Sequence, residues 1–228
     1  MEYDLLSGEV IVEIRQYKWD VVDSNSWLIT EENQGLLIDA VENKSLYAEL
    51  VHLDDLIVIL THSHFDHIIG LNRIREIRPA VTVISTENCS KYLINQYRNM
   101  SSSANAFLKF YNNGYKSNTE VKPFVCEPAD RIFTDKMILT WSGHLVKLLA
   151  VHGHTDDSLL TEIDGEILFS GDTLLAIPTV TRFPTGSSAR FWGEDLPILR
   201  KMNHIKCVYP GHGNPGTLEK MIAANQKI

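Results

Sequence analysis

The chain has 228 residues, of which 44% are hydrophobic and 22% charged, so it is long enough to bury a substantial core. Its formal net charge of −8 argues against nucleic acid as a general partner, because phosphate binding normally needs a basic face. No apolar run approaches the roughly 20 residues that span a bilayer. The N-terminal MEYDLLSGEV also lacks the basic start and apolar block of a signal peptide. We therefore expect a cytoplasmic protein without a membrane partner.

The cysteines point to the same compartment. Cys89, Cys126 and Cys207 are odd in number, scattered along the chain and without CxxC spacing. A disulfide framework needs paired cysteines, so we expect three reduced thiols in structural positions.

The first half of the chain predicts strands followed by helices. The strands are expected in EVIVEIRQYKW, NSWLIT, GLLIDA, DLIVILT and AVTVIST. Apolar residues at helical spacing predict helices in NKSLYAELVHL and in HIIGLNRIREIR, which Pro79 ends. Residues 87 to about 113 are also helical in pattern, with an interruption at SSS, 101–103.

The second half repeats that order. Strands are expected in RIFTDKMILTW, HLVKLLAVH, SLLTEI, EILFS and IKCVYP, with a turn at Asp164-Gly165. Helices are expected in FWGEDLPILRKMN and TLEKMIAANQ. Strands first and helices later in both halves predict an α/β sandwich, with two sheets face to face and helices outside. We expect residues 1–228 to form one domain.

The stretch THSHFDHIIG, 61–70, concentrates potential metal ligands directly after the apolar run LIVIL. Extended chain alternates faces, so His62 and His64 project to the same side and can share one metal ion. Asp66 and His67 fall where the chain turns into a helix. Buried histidines are costly without partners, which favours a metal site over ordinary packing.

Three later segments offer further ligands, each after a predicted strand. VHGHTDDS contains His154, ILFSGDTLL contains Asp172, and CVYPGHGNPG contains His212. Imidazole and carboxylate ligands suit zinc, iron or manganese. We expect two divalent ions, with zinc as the first expectation.

The motifs HSHFDH, GHTDDS, SGDTL and PGHG resemble the ordered metal-binding motifs of the metallo-β-lactamase-fold hydrolases, and LLIDA resembles their early strand. The resemblance covers about residues 24 to 215 and implies a four-layer αββα sandwich with the metals at one edge. It implies a first metal held by His62, His64 and His154, a second held by Asp66, His67 and His212, and Asp172 bridging both. It also implies that Asp39 orients the site without binding metal, although an aspartate there also suits a simple turn.

The sequence departs from the family pattern at three places. Ala40 and Val41 follow Asp39 where the family has a glycine, His152 stands in place of a proline, and Asp157 in place of a glycine. His152 is therefore a rival ligand, although the GHT motif favours His154.

Two metals sharing a water can lower its pKa from about 15.7 towards about 7 and can polarise a carbonyl or phosphoryl oxygen. Asp66 would bind metal and also steer or take a proton, so Asp66 and Asp172 are the expected catalytic residues. An aspartate at 172 and the stretch GDTLL resemble the glyoxalase II-like branch. The chain is short for that branch's C-terminal helical domain, and also for the family's nuclease domain.

We therefore expect an acyl thioester or ester as substrate, with glutathione, coenzyme A or an acyl carrier protein as the leaving thiol. Three alternatives stay open. They are a lactonase of the same fold, a mononuclear iron persulfide dioxygenase, and a metal-binding regulatory protein without turnover.

Two regions are candidates for substrate contact. Arg182 and Arg190 follow Asp172 in the chain and can bind a carboxylate or phosphate, unless they form only surface salt bridges. The aromatic residues between 92 and 115, Tyr111 among them, can form an apolar lid or can serve only in packing.

Overall fold

The computed structural model describes residues 13–109 and 119–225 with their side chains, and residues 2–3 and 110–111 by their backbone. Twelve strands lie in these ranges and form two sheets. None of the helices described is long and apolar enough to cross a membrane.

The first sheet has seven strands that lie in chain order. They are β1 (Glu2–Tyr3), β2 (Glu13–Trp19), β3 (Ser24–Glu31), β4 (Gln34–Ile38), β5 (Asp55–Ile59), β6 (Thr82–Thr86) and β7 (Arg131–Phe133). Strands β1 to β4 pair antiparallel, whereas β4 to β7 pair parallel. The carboxyl ends of β4, β5 and β6 therefore meet at one edge of this sheet.

The second sheet has five strands in the order β12-β11-β10-β9-β8. They are β8 (Lys136–Trp141), β9 (His144–Ala150), β10 (Leu159–Ile163), β11 (Ile167–Gly171) and β12 (Cys207–Pro210). Only β11 and β12 pair parallel in this sheet. The predicted turn at Asp164-Gly165 is confirmed, since both residues have positive φ and the Glu166 N–H donates to the Ile163 carbonyl.

Eight α-helices are described: α1 (Lys44–Leu50), α2 (Phe65–Ile68), α3 (Leu71–Ile77), α4 (Glu87–Leu93), α5 (Ala104–Tyr111), α6 (Ser188–Arg190), α7 (Leu196–Leu199) and α8 (Leu218–Ala224). A 3₁₀ turn covers Ser101–Ser103, and a π-helical turn covers Phe191–Asp195. The helix predicted around residues 67–78 is divided at Gly70, whose N–H donates to the Ala40 carbonyl. A Cβ at Gly70 would lie 2.4 Å from the Val41 carbonyl oxygen, so this approach needs glycine.

Three apolar clusters separate four layers. Residues of β3 alternate, with Trp27 and Ile29 in the cluster between the sheets and Leu28 in the cluster under α1, α3 and α4. A third cluster packs α7 and α8 against the outer face of the second sheet. The predicted four-layer αββα sandwich is therefore confirmed.

The thiols lie within this packing. Cys89 and Cys126 are buried, and Cys207 is half-buried. Burial raises the pKa of Cys89 well above its usual range and that of Cys126 to about 12, and it also raises the pKa of Cys207. Because the thiolate is the reactive form, these shifts disfavour reaction of all three thiols at neutral pH.

We expect iodoacetamide to leave Cys89 and Cys126 unlabelled in the native protein near neutral pH, and to label Cys207 slowly at most. Mass spectrometry of digested protein reads the labels site by site. The same reaction in urea should label all three. Rapid native labelling of Cys89 or Cys126 would contradict the packing described.

Candidate metal centre

The candidate ligands all follow strands that end near one edge of the sandwich. Residues 62–67 follow β5, His154 follows β9, Asp172 follows β11 and His212 follows β12. The two sheets are tied together there, because the Asn25 N–H donates to the Gly211 carbonyl over 2.7 Å. The sequence-predicted residues are thus carried to a common place by the strand order.

The ligand atoms form three overlapping groups, within each of which they lie no more than 4.8 Å apart. The groups are His62, His64 and His154; Asp66, His67 and His212; and His62, His67 and Asp172. All seven residues predicted to bind metal therefore converge, and we refer to them as the seven-residue cluster. All except His212 are buried, and His212 is half-buried.

Asp172 lies between the two halves of this cluster. Its Oδ2 is 3.6 Å from Nε2 of His154 and 3.4 Å from Nε2 of His212. Its Oδ1 is 3.5 Å from Nε2 of His67. One carboxylate is therefore within reach of both halves.

Four histidines are oriented by hydrogen bonds from their outer ring nitrogen. Nδ1 of His154 is 2.7 Å from the Val180 carbonyl oxygen, and Nδ1 of His212 is 3.1 Å from that of Val22. Nδ1 of His62 bonds to the Thr61 hydroxyl, and Nδ1 of His67 to the Asp39 carboxylate. In a neutral ring each of these bonds keeps the proton on Nδ1, and all four turn Nε2, the atom that can bind a metal, towards the cluster. His64 has the reverse orientation, since its Nδ1 is 3.2 Å from Nε2 of His154.

Asp39 lies behind the cluster and makes three hydrogen bonds. Its Oδ1 accepts from the Thr61 N–H over 2.7 Å, and its Oδ2 accepts from the Thr61 hydroxyl over 2.8 Å and from Nδ1 of His67 over 2.9 Å. Its φ of 60° is left-handed, a conformation that aspartate tolerates better than most residues. Asp39 thus contacts His67 directly and His62 through Thr61.

Burial sets the charge of the first half of the cluster. It lowers the pKa of His62 well below its usual range and that of His64 to about 3, and it lowers the pKa of His154 as well. These imidazoles are neutral at physiological pH, which is the form that binds metal.

The carboxylates set the charge of the second half. Burial lowers the pKa of His67, but Asp172, Asp66 and Asp39 outweigh burial and raise it to about 10. Burial raises the pKa of Asp172, but His212 and His67 hold it well below its usual range. A bound metal would displace the proton on Nε2 of His67.

Two buried polar atoms without hydrogen-bond partners in the described part of the chain indicate that these residues fit metal ions. Nε2 of His62 and Oδ1 of Asp172 are buried without a hydrogen-bond partner among the described residues. An unpaired buried polar atom is costly, and a cation between them would satisfy both. Imidazole and carboxylate donors are also the ligands that zinc, iron and manganese take. The residues fit the group that the sequence predicts.

His152 stays outside the cluster. Its Nδ1 is 3.1 Å from the Asp156 carbonyl oxygen, and its backbone N–H donates to Asp195. It belongs to none of the three groups. His152, the alternative ligand, therefore makes its hydrogen bonds away from the cluster.

Sequence reasoning missed the residues that fix the loops of the cluster. Nδ2 of Asn25 donates to the carbonyls of Pro210 and Gly213, on either side of His212. The Asp157 carboxylate accepts from the N–H of Ser63 over 2.9 Å, between His62 and His64. The only sequence signal was the departure at Asp157 from the family's glycine.

Asp195 and Gly211 were missed as well. The Asp195 carboxylate accepts from the N–H of Gly153 over 2.6 Å, next to His154. A Cβ at Gly211 would lie 2.2 Å from Oδ1 of Asp172, so this glycine leaves room for the cluster. The PGHG motif contains Gly211, but the sequence does not show that this glycine is needed to leave room for Asp172.

A cavity of about 110 Å³ opens beside the cluster. Its walls combine five cluster residues with apolar side chains, including Phe107 and Phe183. Arg182 and Arg190 are not among the lining residues; Arg182 is exposed and Arg190 pairs with Glu194 over 2.9 Å. Their contact with substrate stays a prediction.

The aromatic region 92–115 reaches the cavity through Phe107. Tyr92 instead donates to the Asp156 carboxylate over 3.1 Å, and Tyr97 is 73% exposed. The side chains of Tyr111 and Tyr115 lie outside the described residues, so the predicted contact of Tyr111 with substrate is untested.

The family comparison agrees with this geometry. The model of the Metallo-beta-lactamase superfamily matches residues 19–212, which include the whole cluster. The chain belongs to the metallo-β-lactamase superfamily.

Known proteins and solved structures resemble this chain at low sequence identity. Glyoxylase B2 of Dictyostelium discoideum is 23% identical over 217 residues, which cover 94% of this chain and 68% of that protein. The hydroxyacylglutathione hydrolase of Glaesserella parasuis is 21% identical over 192 residues, covering 83% and 66%. This metallo-β-lactamase-fold chain thus spans about two thirds of their length.

Among solved structures, TTHA1623 in a di-iron-bound form has a TM-score of 0.72 at 18% identity, covering 92% of this chain and 98% of that one. At that identity the likeness shows the fold. Superfamily membership and the ligand groups make this chain a metal-dependent hydrolase.

Proposed function

We propose that this protein is a thioester hydrolase with two metal ions, of the glyoxalase II-like kind. The observation that carries the proposal is the position of Asp172, whose Oδ2 is within 3.6 Å of a histidine from each half of the cluster. A carboxylate so placed can bridge two ions. The di-iron form of TTHA1623 supports two metals, and the hydroxyacylglutathione hydrolase of Glaesserella parasuis supports a thioester.

In this proposal His62, His64 and His154 would hold one metal, Asp66, His67 and His212 would hold the other, and Asp172 lies within reach of both groups. When bound, the metals supply a water of lowered pKa and polarise the scissile carbonyl. Zinc is the proposed metal, with iron and manganese as alternatives that the same ligands accept.

The chain's own residues contribute position and proton transfer. Asp66 lies in the cavity wall, with its Oδ2 3.4 Å from Nε2 of His212. We propose that it orients the attacking water and takes its proton. His64 and His154 also line the cavity, so the carbonyl of a bound substrate would meet both halves of the cluster.

Three thiols are candidates for the leaving group. Glutathione, coenzyme A and an acyl carrier protein all end in a thiol on a polar arm. Arg182 is exposed and pairs with no described acidic side chain, which supports a contact with a carboxylate or phosphate of such an arm. Arg190 already pairs with Glu194, so its contact would require exchange of that partner.

The experiment compares two thioesters with protein of known metal content. Protein stripped by chelation is reloaded with zinc, iron or manganese, and thiol release from S-lactoylglutathione and from S-hexanoylpantetheine is followed by absorbance. We expect no release without metal, and release that saturates near two metals per chain.

Three controls separate this function from its alternatives. A lactone is offered under the same conditions, oxygen uptake is followed with a persulfide, and spontaneous hydrolysis is subtracted. Two bound metals without thiol release from either thioester would sink the proposal, and lactone opening or oxygen uptake would then replace it.

A further inference from the structure

We infer that the cavity beside the metal centre binds an uncharged, apolar acyl chain, so that the substrates are alkanoyl or arylalkanoyl thioesters rather than short hydroxyacyl ones. This inference rests on the proposed function, because it names the acyl group of the thioester. The apolar side chains that line the cavity support it, together with the lack of polar side chains outside the cluster among the described lining residues.

The side chains that line the cavity outside the cluster are apolar. Its lining includes Val22, Met100, Phe107, Ile177, Val180 and Phe183. Among the lining residues, every polar side chain belongs to the seven-residue cluster. A hydroxyl or charged group on the acyl chain would therefore find no side-chain partner there except the metal ligands, and an unpaired buried polar group is unfavourable.

Phe183 joins this wall to the cluster. Its ring centroid is 4.5 Å from that of His64 and 5.1 Å from that of His154, both edge-to-face. The Phe183 centroid is also 6.3 Å from that of the Phe107 ring, and the Phe107 centroid is 6.0 Å from that of the Phe65 ring. An acyl carbonyl at the cluster would thus have a continuous aromatic surface beside its chain.

Two apolar residues that line the cavity are exposed to solvent, which places them at its mouth. Ile177 is 61% exposed and Val180 is 49% exposed, although both are large and hydrophobic. Such residues grouped at the entrance of a cavity indicate a surface that a ligand covers. The Val180 carbonyl also holds Nδ1 of His154, which connects the mouth of the cavity to the metal centre.

Size limits the chain. At the roughly 30 Å³ that a water molecule takes up in the liquid, a cavity of about 110 Å³ has room for about four groups of that size. A butanoyl chain fits that space, a hexanoyl chain or an aromatic ring would reach the exposed side chain of Ile177, and a long fatty acyl chain would have to extend past Ile177 into solvent.

The first arm of the test varies the acyl group on one thiol. Acetyl, butanoyl, hexanoyl, lactoyl and phenylacetyl thioesters of pantetheine are compared by kcat/KM with the zinc-loaded protein. We expect a rise of about fourfold per methylene up to about hexanoyl, and lactoyl below butanoyl. A second arm keeps the hexanoyl group and varies the thiol. We expect this change to alter kcat/KM less than the change of acyl group does.

The variant Ile177→Ser removes apolar surface from the mouth, at an exposed position where the fold should tolerate it. It should lower the preference for hexanoyl over acetyl by about tenfold and leave the metal content unchanged. Ile132→Ser is the matched control, because Ile132 is 51% exposed on β7 and does not line the cavity.

Binding without turnover provides an independent measurement. Calorimetry compares hexanamide with acetamide on the zinc-loaded protein, and tighter binding of hexanamide supports the inference whether or not thioesters are cleaved. Hydrolysis that is indifferent to chain length or fastest with lactoyl, or equal binding of the two amides, overturns the inference and leaves the proposed function standing. Loss of all thioester hydrolysis with tight hexanamide binding overturns the function alone.

Discussion

Asp172→Asn is expected to lower kcat/KM for thioester hydrolysis by about a thousandfold or more. Asparagine keeps the size of the side chain but removes the negative charge that faces His154, His212 and His67. The buried, unpartnered Oδ1 of Asp172 is the atom whose replacement matters most, because an amide nitrogen there would present hydrogens to a metal ion. A loss of several kcal/mol of metal-dependent stabilisation corresponds to that factor.

The same variant should bind fewer metals. If one carboxylate contributes to both sites, its loss weakens both, and we expect fewer than two zinc ions per chain after dialysis. Atomic emission on purified protein measures the content, and circular dichroism checks that the fold is retained. His152→Gln is the control, since His152 lies two residues from His154 but outside the cluster, and it should keep two metals. Two metals and wild-type turnover in Asp172→Asn would show that Asp172 does not bridge.

The cluster could be predicted from the sequence because its residues are chemically unusual where they stand. Apolar runs that end in His62, Asp172 or His212 mark strands whose ends carry ligands, and the structure brings all three together. The strand pattern also predicted both sheets, because alternation such as that of β3 matches one buried face to each sheet surface.

The residues that fix the cluster could not be predicted in the same way. Asn25 is 185 residues from Pro210 in the chain, and Asp157 is 94 residues from Ser63. Their side chains bond to backbone groups, and every residue type offers those groups, so no pairing pattern appears in the sequence. Only the fold determines which loop each one meets.

The substrate contacts show a second limit. Arg182 follows Asp172 closely in sequence, but the side chain that lines the cavity is that of its neighbour Phe183. Closeness in sequence to a site predicts the segment, whereas the direction of each side chain depends on the local backbone. The place of Phe183 in the cavity wall therefore became visible only in the structure.

Asp39→Asn tests the residue behind the cluster, and we expect it to weaken binding of the second metal by about 10- to 100-fold. The backbone should tolerate the change, because asparagine accepts a positive φ such as the 60° at this position. The hydrogen bonds cannot all survive. Oδ1 accepts one bond and Oδ2 accepts two, so an amide group at either position places hydrogens against a donor.

The altered hydrogen bonds would weaken metal binding by changing the tautomer of His67. If an amide NH₂ replaces Oδ2, Nδ1 of His67 must become the acceptor, and the ring proton moves to Nε2, the atom that faces Asp66 and Asp172. A protonated Nε2 cannot bind a metal. Competition with a coloured chelator measures the two affinities separately, and excess zinc should restore part of the turnover.

Asp54→Asn is the matched control for this prediction, because Asp54 is an exposed aspartate that precedes β5, whereas the cluster follows the other end of that strand. It should leave both affinities unchanged. If Asp39→Asn weakens both metals equally, the bond through Thr61 to His62 matters as much as the direct bond to His67. If it weakens neither, Asp39 serves only the turn after β4, and the orientation of His67 must come from the packing of α2 instead.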